Sequence, residues 1–158
     1  MICLSVDPGF CNMAIIVADV NMTTKSIVLL YSTTVSVQNK SLQKMHDAVL
    51  QELIFLYNFY AIEMTTVENQ QKGTSGRVYD HNLLNSNVQA LVYAVGKLKS
   101  VVTVAVEPKK WHSLLNGKSK NLKVYRSLEL PFAIDKRRYL RTIHEFDALF
   151  ILVSQLIQ

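Results

Sequence analysis

The spacing of the apolar residues changes partway along the chain, and that change limits the architecture more than any other feature. Up to residue 37 the apolar runs are short, rich in β-branched residues and joined by tight turns. They cover residues 2–6, 13–20 and 26–37, with Pro8-Gly9 and residues 21–24 at the turns. Such runs read as strands, and short turns between them make an antiparallel meander. Beyond residue 40, Leu42, Met45, Val49, Leu53 and Leu56 recur at helical spacing, with Ser41 placed to cap the helix. Strand character returns at 62–67. The polar stretch 70–77, with Gly73 and Gly76, reads as a loop. Leu84, Val88, Leu91, Val95 and Leu98 mark a second helix over 83–98, and the β-branched run 101–106 reads as a buried parallel strand. A basic segment with a short helix, a break at Pro131 and an apolar helix from about 136 to 157 complete the chain. The expected fold class is α/β, a mixed five-stranded sheet with a meander followed by parallel strands, flanked by helices. A length of 158 residues fits a single domain over 1–158.

Hydrophobic residues make up 49% of the chain and charged residues 18%, enough apolar side chains for a packed core and too many for disorder. The apolar opening stretch ends at Asp7, and the apolar stretch 146–157 contains Asp147, Ser154 and Gln155. Neither reads as a signal peptide or a membrane span, so a soluble intracellular protein with no membrane partner is expected. Cys3 and Cys11 lack metal-site spacing and read as reduced thiols. The net charge of +5 is concentrated in one segment. Lys97, Lys99, Lys109, Lys110, Lys118, Lys120, Lys123, Arg126, Lys136, Arg137, Arg138 and Arg141 are opposed there only by Glu107, Glu129 and Asp135. That concentration suits a polyanion, most simply nucleic acid; a solvated basic surface is the plainer alternative.

Three acidic positions stand out. Asp7 closes an apolar strand before a Pro-Gly turn. Glu68 closes a second, with Glu63 near its start as a competitor. His144 and Asp147 are three apart on an apolar helix and so share one side of it. An Asp on such a helix needs a partner or a metal; the structural alternative is complementation of the helix dipole, with Glu145 as its neighbour. Carboxylates at two strand ends, together with one from a helix packed above, suit hard divalent ions, which prefer oxygen ligands. Two such ions can drive phosphodiester hydrolysis.

These residues also carry a family resemblance. Ser5-Val6-Asp7-Pro8-Gly9 and the following Asn12-Met13-Ala14 resemble the opening of the RuvC-type Holliday-junction resolvases, on the ribonuclease H-like fold. Val67-Glu68-Asn69-Gln70 is similar to their second acidic motif, and His144-Glu145-Phe146-Asp147 to their last. Val106-Glu107-Pro108-Lys109-Lys110-Trp111-His112 and the stretch 116–123 resemble the segment after the fifth strand. His112 stands where many members have a lysine, and Lys123 falls on a later one. The short Asp-to-Asn opening and the Glu-Asn-Gln resemble the branch found in large DNA viruses such as poxviruses, whose site of action is viral replication inside the host cell.

The resemblance implies a crossover junction endodeoxyribonuclease: a homodimer that nicks four-way DNA junctions in symmetric pairs and leaves 5′-phosphates. It implies two Mg2+ ions, replaceable by Mn2+, held by Asp7, Glu68, His144 and Asp147, with Glu145 as the alternative to His144. Lys123 is the implied catalytic lysine. His112, Lys118 or Lys120 would face the scissile phosphate. DNA contacts are expected from Lys72, Arg77, Lys109, Lys110, Lys118, Lys120, Arg137, Arg138 and Arg141, with Phe10 or Tyr79 stacking on an unpaired base. The motifs leave open a ribonuclease H-like nuclease for RNA/DNA hybrids or flaps, and a catalytically silent junction-binding scaffold. An actin-like ATPase needs a second lobe that a chain of this length has no room for.

Overall fold

The structure is a computed structural model. It describes residues 1–9, 12–36, 42–69 and 76–158, with the side chains at 42 and 76–85 outside the description. Ser41, Phe10, Cys11, Lys72 and the side chains of Arg77 and Tyr79 therefore lie outside the described residues.

The meander is present as β1 (Ile2–Asp7), β2 (Asn12–Asn21) and β3 (Ser26–Ser36). Helix α1 (Leu42–Phe59), β4 (Met64–Glu68), α2 (Gly76–Leu98) and β5 (Val102–Val106) follow, and then α3 (Pro108–His112), α4 (Leu122–Ser127), β6 (Ala133–Asp135) and α5 (Ile143–Leu156). The sheet runs β5-β4-β1-β2-β3-β6. β2 is antiparallel to β1 and β3, whereas β4 lies parallel to β1 and β5 parallel to β4.

Side chains alternate across a strand, so each strand supplies two cores. Cys3, Ala14, Ile16 and Ala18 pack under α5 with Phe146, Leu149, Phe150 and Val153. Leu4, Val6, Met13, Ile15 and Val17 pack under α1 and α2 with Met45, Val49, Leu53, Val88 and Val92. β1 is central and buried along nearly all its length, which explains why its sequence is apolar apart from Ser5 and the closing Asp7. Cys3 is a free buried thiol, pushed up to about 12 chiefly by burial. Among the described residues no helix is long and apolar enough to cross a membrane.

Three boundaries differ from the sequence expectation. The sheet has six strands rather than five, because β6 pairs in parallel with Ser26–Val28. It is only three residues long and lies at the sheet edge, so it leaves little periodic signal. The last helix starts at Ile143, not near 136. Residues 137–139 form a 3₁₀ turn, and Lys136 is left-handed at φ 62°. Thr142 then caps α5 in a capping box with Glu145, which fixes the start. Helix α2 begins at Gly76 rather than 83, taking in the end of the expected loop.

Candidate functional site

Asp7 and Glu68 end the two adjacent parallel strands β1 and β4, whose register pairs Ser5 with Thr66 and Val6 with Val67. The period of two sends Cys3, Ser5 and Asp7 toward α5. A buried hydrogen-bond chain sets where that helix sits. Thr66 donates to the Ser5 hydroxyl at 2.7 Å, and Ser5 donates to the Ala148 carbonyl at 2.7 Å. Ala148 follows Asp147, so the first turns of α5 are fixed over the end of β1. Gly9 keeps the turn below them tight. A Cβ there would lie 2.0 Å from the Asn12 carbonyl oxygen and 3.5 Å from His144 Nδ1. Only glycine allows that approach.

His144 Nδ1 lies 3.2 Å from Asp7 Oδ2. One ligand atom from each of Asp7, His144 and Asp147 falls within 4.8 Å of the others. Asp7 and Asp147 are only 6% and 5% exposed. Burial, and then the Asp7 charge, push the Asp147 carboxyl up to about 6, against the opposing Tyr125 hydroxyl, Lys120 and His144. Burial, and then Asp7, push Glu68 up to about 7, against the Trp111 N–H and Lys120. His144 is raised, first by its hydrogen bond to Asp7. Carboxyl groups crowded in this way are short of positive charge. Their oxygen-rich donor set fits a divalent cation, which would offset the repulsion.

Neighbouring side chains tie these groups down. The Tyr125 hydroxyl donates to Asp147 Oδ1. Lys120 Nζ lies 3.6 Å from Asp147 Oδ2 and 4.2 Å from the centre of the Trp111 ring. Trp111 Nε1 donates to Glu68 Oε2 at 2.6 Å. Glu145 is turned away from the cluster, because its carboxylate accepts the backbone N–H groups of Arg141 and Thr142. Glu63 accepts from the Ile2 backbone N–H, at the other end of the sheet.

No protein-family model matches the sequence, and no curated protein matches it. Solved structures do. RuvC of T. thermophilus, in complex with a Holliday junction substrate, has a TM-score of 0.70 at 18% identity, over 98% of this chain and 92% of that one. The fold is that of the RuvC-type resolvases. The yeast mitochondrial Holliday junction resolvase gives a TM-score of 0.69 at 16% identity, covering 98% of this chain and 77% of its own. The fowlpox virus Holliday junction resolvase gives 0.65 at 16% identity, with 99% of both chains covered.

On this RuvC-type fold the basic residues divide into distinct groups. Lys120 reaches the carboxylates. Lys109, Lys110 and Lys118 are exposed near it on α3 and the following loop, and Lys123 is exposed in the first turn of α4. His112 is exposed and packs edge-on against Trp111, with ring centroids 4.0 Å apart. Arg138 and Arg141 are exposed. Arg137 is half-buried and donates to the carbonyls of Tyr125 and Leu128, so it holds the end of α4 from within. Trp111 and Tyr125 carry no signal in the sequence as site residues. Their hydroxyl and indole N–H reach the carboxylates only once the chain is folded.

Proposed function

We propose that the chain is a metal-dependent, structure-selective DNA endonuclease that resolves four-way junctions by paired symmetric nicks. The observation that carries this reading is the convergence of Asp7, at the end of β1, with His144 and Asp147 of α5, while Glu68 ends the neighbouring strand close enough for the Asp7 charge to raise it. The RuvC-type fold and the junction-bound state of its T. thermophilus neighbour support the choice of substrate.

Asp7, Glu68, Asp147 and His144 would hold two Mg2+ ions, with Mn2+ able to replace them. Bound there, the ions supply activation of a water and neutralisation of the leaving oxygen. The water oxygen bonds to phosphorus as the bond to the 3′ oxygen breaks, leaving a 5′-phosphate and a 3′-hydroxyl. The protein's own groups arrange this reaction. His144 and Tyr125 orient Asp7 and Asp147, and Trp111 orients Glu68. Lys120 brings a positive charge to the cluster, where it would offset charge developing on the phosphate. Lys123, exposed in the first turn of α4, is the catalytic lysine in this reading and would offset charge on the scissile phosphate. The exposed Lys109, Lys110, Lys118, Arg138 and Arg141 would bind backbone phosphates in this reading, and Lys72 and Arg77, whose side chains lie outside the described residues, are assigned the same role from the sequence. A homodimer follows from the two-fold substrate, with one site for each opposed strand.

The test is incubation with a synthetic four-way junction and a matching linear duplex, with and without Mg2+, beside Asp7→Asn. The expected result is paired symmetric nicks in the junction alone, dependent on the metal and on Asp7. Equal cutting of both substrates would indicate a general nuclease, and tight junction binding without cutting in Mg2+ or Mn2+ would indicate a scaffold.

A further inference from the structure

We infer that Trp111 is a positioning residue which, through two contacts of one side chain, sets both the acidic and the cationic halves of the site. The inference rests on the metal-site reading of Asp7, Glu68, His144 and Asp147. Its edge serves the acid: Nε1–H donates to Glu68 Oε2 at 2.6 Å. Its face serves the cation: Lys120 Nζ stands 4.2 Å from the ring centre and 3.6 Å from Asp147 Oδ2.

The chain path explains how the ring comes to be there. β5 pairs with β4 so that Val106 lies beside Glu68. The Asn69 backbone N–H continues the contact to the Val106 carbonyl at 2.8 Å, and the Asn69 side chain donates to Glu107. α3 begins at Pro108 and packs against α5, which returns Trp111 to the strand end that carries Glu68. The ring is 1% exposed and belongs to the core under α5. A buried indole N–H seeks an acceptor, and here the acceptor is a carboxylate at the cluster. Glu has a long side chain with several rotamers, and Asp7 and Asp147 repel its charge. The indole bond opposes both tendencies, and Lys120 offsets the second. Lys120 sits in the loop between α3 and α4, where an exposed lysine would otherwise sample many rotamers; the ring face restricts it.

Groups that orient metal ligands in this way affect metal affinity as well as rate. Their loss costs about 10- to 100-fold in affinity. The role can therefore be read without DNA. Mn2+ binding is measured by titration calorimetry on the wild-type protein, Trp111→Phe, Glu68→Gln and the double variant. Trp111→Phe keeps a ring face and loses the N–H. It is expected to weaken Mn2+ binding by about 10-fold or more. Added to Glu68→Gln, the same change is expected to have less than about a twofold further effect, because the residue through which it acts is already altered. An affinity within about twofold of wild type for Trp111→Phe would overturn the inference, as would a full additive loss in the double variant.

Trp111 is the only tryptophan in the chain, so a readout that needs no variant is available if Trp111→Phe fails to fold. In the wild-type protein, Mg2+ should shift the indole fluorescence with the same midpoint as Mg2+ binding measured by calorimetry. Mg2+ binding with no change in fluorescence would overturn the inference while leaving the metal-site reading intact. No binding of either metal by the wild-type protein would overturn both.

Discussion

The two faces of the sheet are built from the same strands, yet they are made of different chemistry. Toward α1 and α2, β1 and β2 present Leu4, Val6, Met13, Ile15 and Val17. Toward α5, the alternate positions of β1 are Cys3, Ser5 and Asp7, and β4 adds Thr66 and Glu68. The α5 face buries the hydroxyl chain from Thr66 through Ser5 to Ala148 and, beside it, the Asp7 and Asp147 carboxylates. On the α1 face the described residues include a buried hydroxyl pair, Tyr57 and Thr65. A single strand can thus serve stability with its even residues and chemistry with its odd ones, because the pleat keeps the two sets apart. The helices follow the same division. α5 is buried nearly from end to end and carries His144 and Asp147, whereas α1 is an amphipathic cover whose outer side leaves Phe55 and Phe59 exposed.

If the division holds, substitutions on the two faces should separate activity from stability. Asp7→Asn should lower junction cleavage by about 10²–10³-fold or more, the scale of losing one element of transition-state charge stabilisation, because Asp7 would hold the ions that offset that charge. The same change should leave the melting temperature of the metal-free protein equal or raised, because it relieves repulsion with Glu68 and Asp147. Nicking rate and thermal melting on the same preparation check both parts. Leu53→Ala, beneath α1, should do the reverse. It empties a fully buried site at a cost of about 2–5 kcal/mol in unfolding free energy, with cleavage per folded molecule near wild type. Denaturant titration reads the first and active-site titration the second.

The third prediction concerns pH. Glu68 and Asp147 are raised from 4.5 to about 7 and from 3.8 to about 6 by burial and neighbouring charge. Between the ordinary and the raised values the folded chain holds more protons than the unfolded chain. These groups therefore stabilise the metal-free protein most below about pH 4, and that contribution is lost as pH rises through about 6 to 7. Melting scans with and without Mg2+ should show a downward trend over that range in the metal-free protein alone, flattened once the metal replaces the protons. The smallest effect should come from the rim. Lys118→Ala should weaken junction binding uniformly and reduce the salt slope by about one, as expected for a single phosphate contact. Arg137→Ala should instead lower the melting temperature, because its guanidinium holds backbone carbonyls of α4.

Much of the polar face was legible before folding. An acid that closes an apolar strand is visible as a break in pattern, and Asp7 and Glu68 both show one. His144 and Asp147 were legible as a pair three apart on one helix face. Their encounter with Asp7 was implied only by the family resemblance, since 137 residues separate Asp7 from His144 and no local period encodes it. Trp111 and Tyr125 were illegible for the same reason; each looks like an ordinary core aromatic until its polar edge finds a carboxylate. β6 was missed because a three-residue edge strand leaves almost no alternation to read. The start of α5 was written in the sequence, as Thr142 followed three residues later by Glu145. The basic run before it, which favours helix, obscured that signal.

The capping box at Thr142 also sets the angular phase of the site. A helix turns by about 100° per residue. Thr142 and Glu145 lock the first turn against the chain that enters it, and the Ser5 bond to Ala148 locks the second. One residue inserted between Thr142 and His144 would swing His144 and Asp147 away from β1 as a unit. The same insertion among residues 136–140 would strain the bonds of Arg137 and the seat of the buried Leu140, yet leave the rotation of α5 to its cap. From the cap onward the helix behaves as a keyed shaft.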